Sequence, residues 1–131
     1  MIKKRIINPW SWSNDRGYVQ AVEVKNVEST LYCAGQAAVL PDGTSSDADM
    51  RSQMKIALEN LEKVISNAGY ELKNIVRLNL FTTSTDELLS TCFDAFVDWA
   101  EKNNVQTALT AFEVSSLYET LKIEFEATVV K

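Results

Sequence analysis

Histidine is absent from the 131 residues, and that gap alone removes the Ser/His/Asp triad, the Cys/His dyad and every imidazole metal site. Glycine occurs four times and never as a Gly-rich run, so no phosphate-cradling loop is present. The two cysteines, Cys33 and Cys92, fall in a strand-like and a helix-like segment and match no paired metal or redox spacing. They read as buried free thiols in a reducing compartment. Neither a metal site nor a cofactor motif is expected. No apolar run approaches the ~20 residues of a membrane helix, and MIKKRIINPW lacks the apolar stretch and small-residue cleavage site of a signal peptide. The expectation is a soluble, cytoplasmic protein with no membrane partner.

What is present fits one domain spanning residues 1–131. With 46% hydrophobic and 24% charged residues, the chain can bury a core large enough to fold without staples. A net charge of -5 opposes a phosphate-neutralising surface, so nucleic acid is not an expected partner. The one basic cluster, Lys3, Lys4 and Arg5, opens an edge strand and serves to keep that edge from pairing with other chains.

Lys3 to Ile7 reads as the first strand, followed by the loop WSWSNDRG, whose Trp10 and Trp12 call for something to pack on. Tyr18 to Val24 and Thr30 to Ala34 are the next strands. From Asp47 the spacing of Met50, Met54, Ala57, Leu58, Leu61, Val64 and Ile65 predicts a helix to Ala68, with Gly69 as its stop. A strand from about Asn74 to Thr83 follows. Ser84 or Thr85 then caps a second helix, Asp86 to Ala100, with its apolar stripe at Leu88, Leu89, Cys92, Phe93, Phe96, Val97 and Ala100. Strands at Gln106 to Val114 and Leu121 to Val130 close the chain. Six strands with two helices on one face make an α+β mixed sheet whose other face needs a partner.

The last strand alternates most cleanly. Leu121, Ile123, Phe125, Ala127 and Val129 form its core side, and Glu124 and Glu126 share the other. That carboxylate face is either an ordinary solvated surface or the floor of a site. Tyr18 has a packing reading beside a ligand-contact one, and Gly35 with Gln36 reads as either a turning strand end or a cleft lining.

In order and spacing, GYVQAVEV (17–24), AGQ (34–36), LEKVISNAG (61–69), NIVRLNLF (74–81), FDAF (93–96), FEVSSL (112–117) and IEFEA (123–127) resemble the RidA/YjgF, or Rid, family over nearly the whole chain. The resemblance implies a chorismate-mutase-like α+β fold in which three subunits pack their sheets into a central barrel. It also implies a small-molecule ligand in clefts between subunits, where enamines and imines are hydrolysed to 2-oxo acids and ammonia without a cofactor. Carried over by position, Glu124 is the catalytic carboxylate. Tyr18, Gly35, Gln36, Ser90, Leu109 and Ala111 fall at substrate-binding positions, Ala111 through its backbone carbonyl. Leu109 stands where the family carries an arginine that clamps the substrate carboxylate, and leucine donates no hydrogen bond. Arg16, Arg77 or a neighbouring subunit are the remaining sources of a cation. The alternative to an enamine/imine deaminase is a catalytically silent ligand-binding or protein-interaction trimer.

Overall fold

In the computed structural model, which describes residues 1–131, the chain runs β1 (Lys3–Ile7), a 3-10 turn (Ser11–Ser13), β2 (Ala21–Lys25), β3 (Thr30–Ala37) and α1 (Met50–Asn67). After a 3-10 turn (Leu72–Asn74) come β4 (Ile75–Thr82), α2 (Thr85–Glu87), a π turn (Leu88–Cys92), α3 (Phe93–Lys102), β5 (Ala108–Glu113) and β6 (Ile123–Val130). The main sheet has four strands in the order β3-β6-β4-β5, with β4 and β5 parallel and the other pairs antiparallel. β1 and β2 form a separate antiparallel ribbon, so the expected six-stranded sheet is divided in two. A side chain links the two parts: the Lys4 ammonium donates to the carbonyl of Lys73 at 2.9 Å.

The helices cover one face of the main sheet. α1 presents Met50, Met54, Ala57, Leu58, Leu61 and Ile65 to it, all buried, which is the periodic stripe of the sequence. Its end is a Schellman motif: Gly69 (φ 79°) donates to Ser66 and Tyr70 to Ile65. α3 is anchored by Phe96, fully buried and stacked on Phe125 of β6 with ring centroids 6.0 Å apart. Burying each of those side chains contributes about 1.5–3 kcal/mol.

Two expectations need correction. The second helix is interrupted between Leu88 and Cys92, where the Phe93 N–H reaches back five residues to the Leu88 carbonyl. Ser90 and Thr91 donate their hydroxyls to the carbonyls of Asp86 and Glu87, four residues back, at 2.7 and 2.6 Å. Such bonds compete with the α-helical ladder and accompany its widening. Ser84 is the cap, accepting from the Glu87 N–H. The expected strand from Tyr18 to Val24 begins only at Ala21. Val19 makes a single bridge to Ala108, and Gln20 turns its amide toward the buried Ser13 hydroxyl at 3.3 Å, so Tyr18 stands outside any strand.

Gln53 is the largest polar side chain that is fully buried. The Gln53 amide donates to the carbonyls of Ser46, Ala48 and Thr120 at 3.0–3.2 Å, and its oxygen accepts from the Lys122 N–H at 2.9 Å. Gln53→Leu keeps the volume and takes this partner from the Ala48 and Thr120 carbonyls and the Lys122 N–H, while the Ser46 carbonyl keeps the Thr120 hydroxyl; each orphaned group costs about 1–3 kcal/mol when buried. The expected outcome is a loss of about 3 kcal/mol in urea denaturation; a midpoint equal to wild type would show that this amide does not hold the loop ends.

Candidate functional site

Register places the residues singled out in the sequence on two faces of the sheet. Leu109 and Ala111 pair with Leu78 and Leu80, both fully buried, and so point toward the helices. Glu124 pairs with Phe81 and points to the open face. β5 is separated from β6 by β4, a distance of about 10 Å at ordinary strand spacing. Leu109 is therefore not on the strand beside Glu124. It packs half-buried against the main core.

On the open face, β3 carries one extra residue. Cys33 pairs with Ala127 but Gln36 with Phe125, a β-bulge that lays Gly35 over the Glu124 side chain. A methyl group on Gly35 would sit 2.7 Å from the Glu124 carboxyl carbon and collide with its Oε1, so only glycine leaves the Glu124 side chain where it lies. Gln36, paired with the buried Phe125, lies on the opposite, helix side beside Asn60 and Val64 of α1, its amide turned back onto the Ala34 carbonyl at 3.2 Å, so it does not join Glu124.

The two carboxylates of β6 differ in their bonding. Glu126 accepts from the Asn79 amide at 2.8 Å, and Asn79 in turn accepts from the Arg77 Nε at 3.1 Å. Arg77 also donates to the Thr110 hydroxyl at 2.7 Å, completing a chain across three strands. Glu124, half-buried, makes no hydrogen bond or ion pair within the protomer; its neighbours are Gly35 and the Phe81–Phe112 stack, whose centroids are 5.3 Å apart. That aromatic pair was hidden in the sequence, because it depends on β4 and β5 being parallel neighbours.

The second group lies at the helix side of the β5 edge. Tyr18 and Ala111 line a cleft of ≈ 180 Å³ together with Arg16, Leu88, Leu89 and Phe93. The π turn shapes it, leaving Leu89 68% exposed although it belongs to the apolar stripe of the sequence. Gly17, at φ 79°, sets the chain against α3, where a Cβ would lie 3.2 Å from the Val97 Cα. Ser90 is exposed, does not line this cleft and spends its hydroxyl on Asp86. Both cysteines are buried, and burial raises their thiol pKa values, so neither offers a ready thiolate. No three Asp, Glu or Cys side chains form a metal-binding cluster. No helix is long and apolar enough to cross a membrane.

A family model described as Endoribonuclease L-PSP matches residues 12–131. The chain belongs to this family, the Rid proteins. Among Rid relatives, 2-iminobutanoate/2-iminopropanoate deaminase of Escherichia coli K12 is 29% identical over 116 residues, covering 87% of each chain. RutC family protein PM1466 of Pasteurella multocida is 30% identical over 115 residues, again 87% of each. The crystal structure of YyfB, a Rid-family protein of unknown function from Yersinia pestis, matches with a TM-score of 0.80 and 28% identity over 98% of both chains. The Rid α+β fold is thereby shared across the whole domain.

The Gly35–Glu124 contact is open to a double-mutant cycle. Gly35→Ala alone is expected to cost about 1 kcal/mol, the low end for overpacking, because the added methyl displaces the unbonded Glu124 side chain. Combined with Glu124→Ala, most of that cost should vanish. Strictly additive unfolding free energies would show that the two residues do not meet.

Proposed function

We propose that this Rid protein is an enamine/imine deaminase-like hydrolase acting as a homotrimer, with a small metabolite bound in clefts between subunits. The observation that carries the reading is Glu124: a half-buried carboxylate, free of partners, held under a backbone bulge and flanked by an aromatic pair. In such a place a carboxylate can exchange protons with a water and a substrate nitrogen. Water adds to the carbon of the protonated imine as Glu124 takes one of its protons, giving a neutral carbinolamine. Glu124 returns that proton to nitrogen, and as the C–N bond breaks the carbinolamine hydroxyl gives its proton to Glu124, leaving a carbonyl compound and ammonia, which carries the proton away as ammonium. For an imino acid the product is the 2-oxo acid. A backbone carbonyl at Ala111 would orient the water.

The division of the residues supports assembly. Glu124 and Gly35 meet on the open face of the β3–β6 pair, whereas Tyr18 and Ala111 lie at the β5 edge on the other face, and Gln36 is apart from both groups on the helix side beside α1. A second copy would bring one group against the other. The open face supports contact with another copy, since Tyr32 and Phe112 are exposed there at 78% and 41%. The Escherichia coli K12 relative is a 2-iminobutanoate/2-iminopropanoate deaminase, and Leu109 is the departure that bears on carrying that activity over. The endoribonuclease description of the family is opposed here by the net charge of -5 and the absence of histidine.

Two measurements test the reading. Light scattering should give the mass of three 14.7 kDa chains, and a monomer would end the case for a shared cleft. With 2-iminobutanoate generated in situ, oxo-acid release above buffer is expected from wild type and a loss of at least ~100-fold from Glu124→Gln. Wild-type protein that releases nothing above buffer is instead the silent, ligand-binding alternative.

A further inference from the structure

We propose that Arg16 is the anion-binding residue of the cleft beside Tyr18, taking a small carboxylate ligand whose apolar part packs on Leu88, Leu89 and Phe93. The inference rests on the reading of this cleft as part of the metabolite site. It starts from how the four arginines are used. Arg5 pairs with Glu23 at 3.0 Å, Arg51 grips both oxygens of Asp94 at 2.8 and 3.0 Å, and Arg77 is bonded to Thr110 and Asn79. Arg16 alone makes no side-chain hydrogen bond and no ion pair, even with its neighbour Asp15.

Its guanidinium is nonetheless placed. It lies over the Trp12 ring, 5.3 Å from the centroid, an arrangement that holds the plane of the fork while leaving its N–H edges unspent. The loop beneath is built: Ser13 is fully buried and donates to Asn8, Asn8 donates to Asn14, and the Arg16 N–H closes on the Ser13 carbonyl at 3.1 Å. Gly17 then fits where a side chain would meet Phe96 and Val97. The result is an arginine fixed at the rim of a mainly apolar cleft that has no carboxylate in its lining. Such a pairing selects an anion with a short hydrocarbon part. A 2-oxo or 2-imino acid with an aliphatic side chain has that composition, and two parallel N–H···O bonds to its carboxylate are what the fork supplies. Leu109, two residues from Ala111 and packed on the core, is released from that role.

The test is binding of 2-oxobutanoate to the intact protein, followed through the NMR signal of the Trp12 indole N–H, assigned with Trp12→Phe. Wild type is expected to bind 2-oxobutanoate more tightly than the neutral, equally shaped 2-oxobutanamide, with affinity falling as salt is raised. Arg16→Met, which keeps the stem over Trp12, should weaken the oxo acid by about 10- to 100-fold. Arg16→Lys should recover part of the loss. Arg5→Met, on the remote ribbon, should change nothing. Wild-type affinity in Arg16→Met, equal affinity for acid and amide, or no binding of the acid to wild type would each overturn the assignment. Because the ligand is not turned over, the outcome is distinguishable from failed deamination. An inactive protein whose oxo-acid binding depends on Arg16 keeps this inference and loses only the proposed reaction.

Discussion

The backbone of Lys122 is the point on which the candidate site depends. Its N–H is taken by the buried Gln53 side chain and its carbonyl by the Thr82 hydroxyl and the Thr83 N–H, so the entry to β6 is gripped from α1 and from β4 at once. The face on which Glu124 emerges is set two residues later. A strand that slipped by one residue would carry every side chain to the opposite face, placing Phe125 in solvent and both carboxylates in the core. Fixing the register with main-chain bonds at the strand entrance keeps Glu124 on the open side without using its own carboxylate as an anchor. A side chain left out of the structural bonding is free for chemistry.

The same division of labour separates paired residues elsewhere. Glu126 resembles Glu124 in position, yet it closes a chain of bonds through Asn79 and Arg77 to Thr110 that ties β6, β4 and β5 across the open face. Arg77 is committed to the sheet by that chain, and Arg16 is not. The polar residues of this protein thus fall into those that hold strands together and those that the fold holds still for another use.

Much of this was legible in the sequence. The α1 stripe, its Gly69 stop, the alternation of β6 and the order of the elements all follow from local periodicity, which reports the face a residue takes within its own element. The family resemblance named residues that lie in one cleft, Tyr18 and Ala111, and others that meet across a bulge, Gly35 and Glu124. What local pattern could not reveal was adjacency between elements. β5 lies beside β4 and not β6, so Leu109 and Glu124 face opposite ways, and the ribbon of β1 and β2 stands apart from the main sheet. Three-four spacing also could not show the π turn, because its apolar residues keep nearly helical intervals and the widening rests on hydroxyl bonds to the preceding turn.

The π turn amounts to one surplus residue in an otherwise α-helical path. An α-helix advances by about 100° per residue, so the segment before Leu88 and the segment after Cys92 are turned relative to each other by that increment. α3 can keep Phe96 locked against Phe125 while Leu89 is turned out to the cleft. Cleft shape and core packing are therefore separately adjustable along one helical path: trimming a single residue here would rotate the rim of the cleft and leave the aromatic anchor in place.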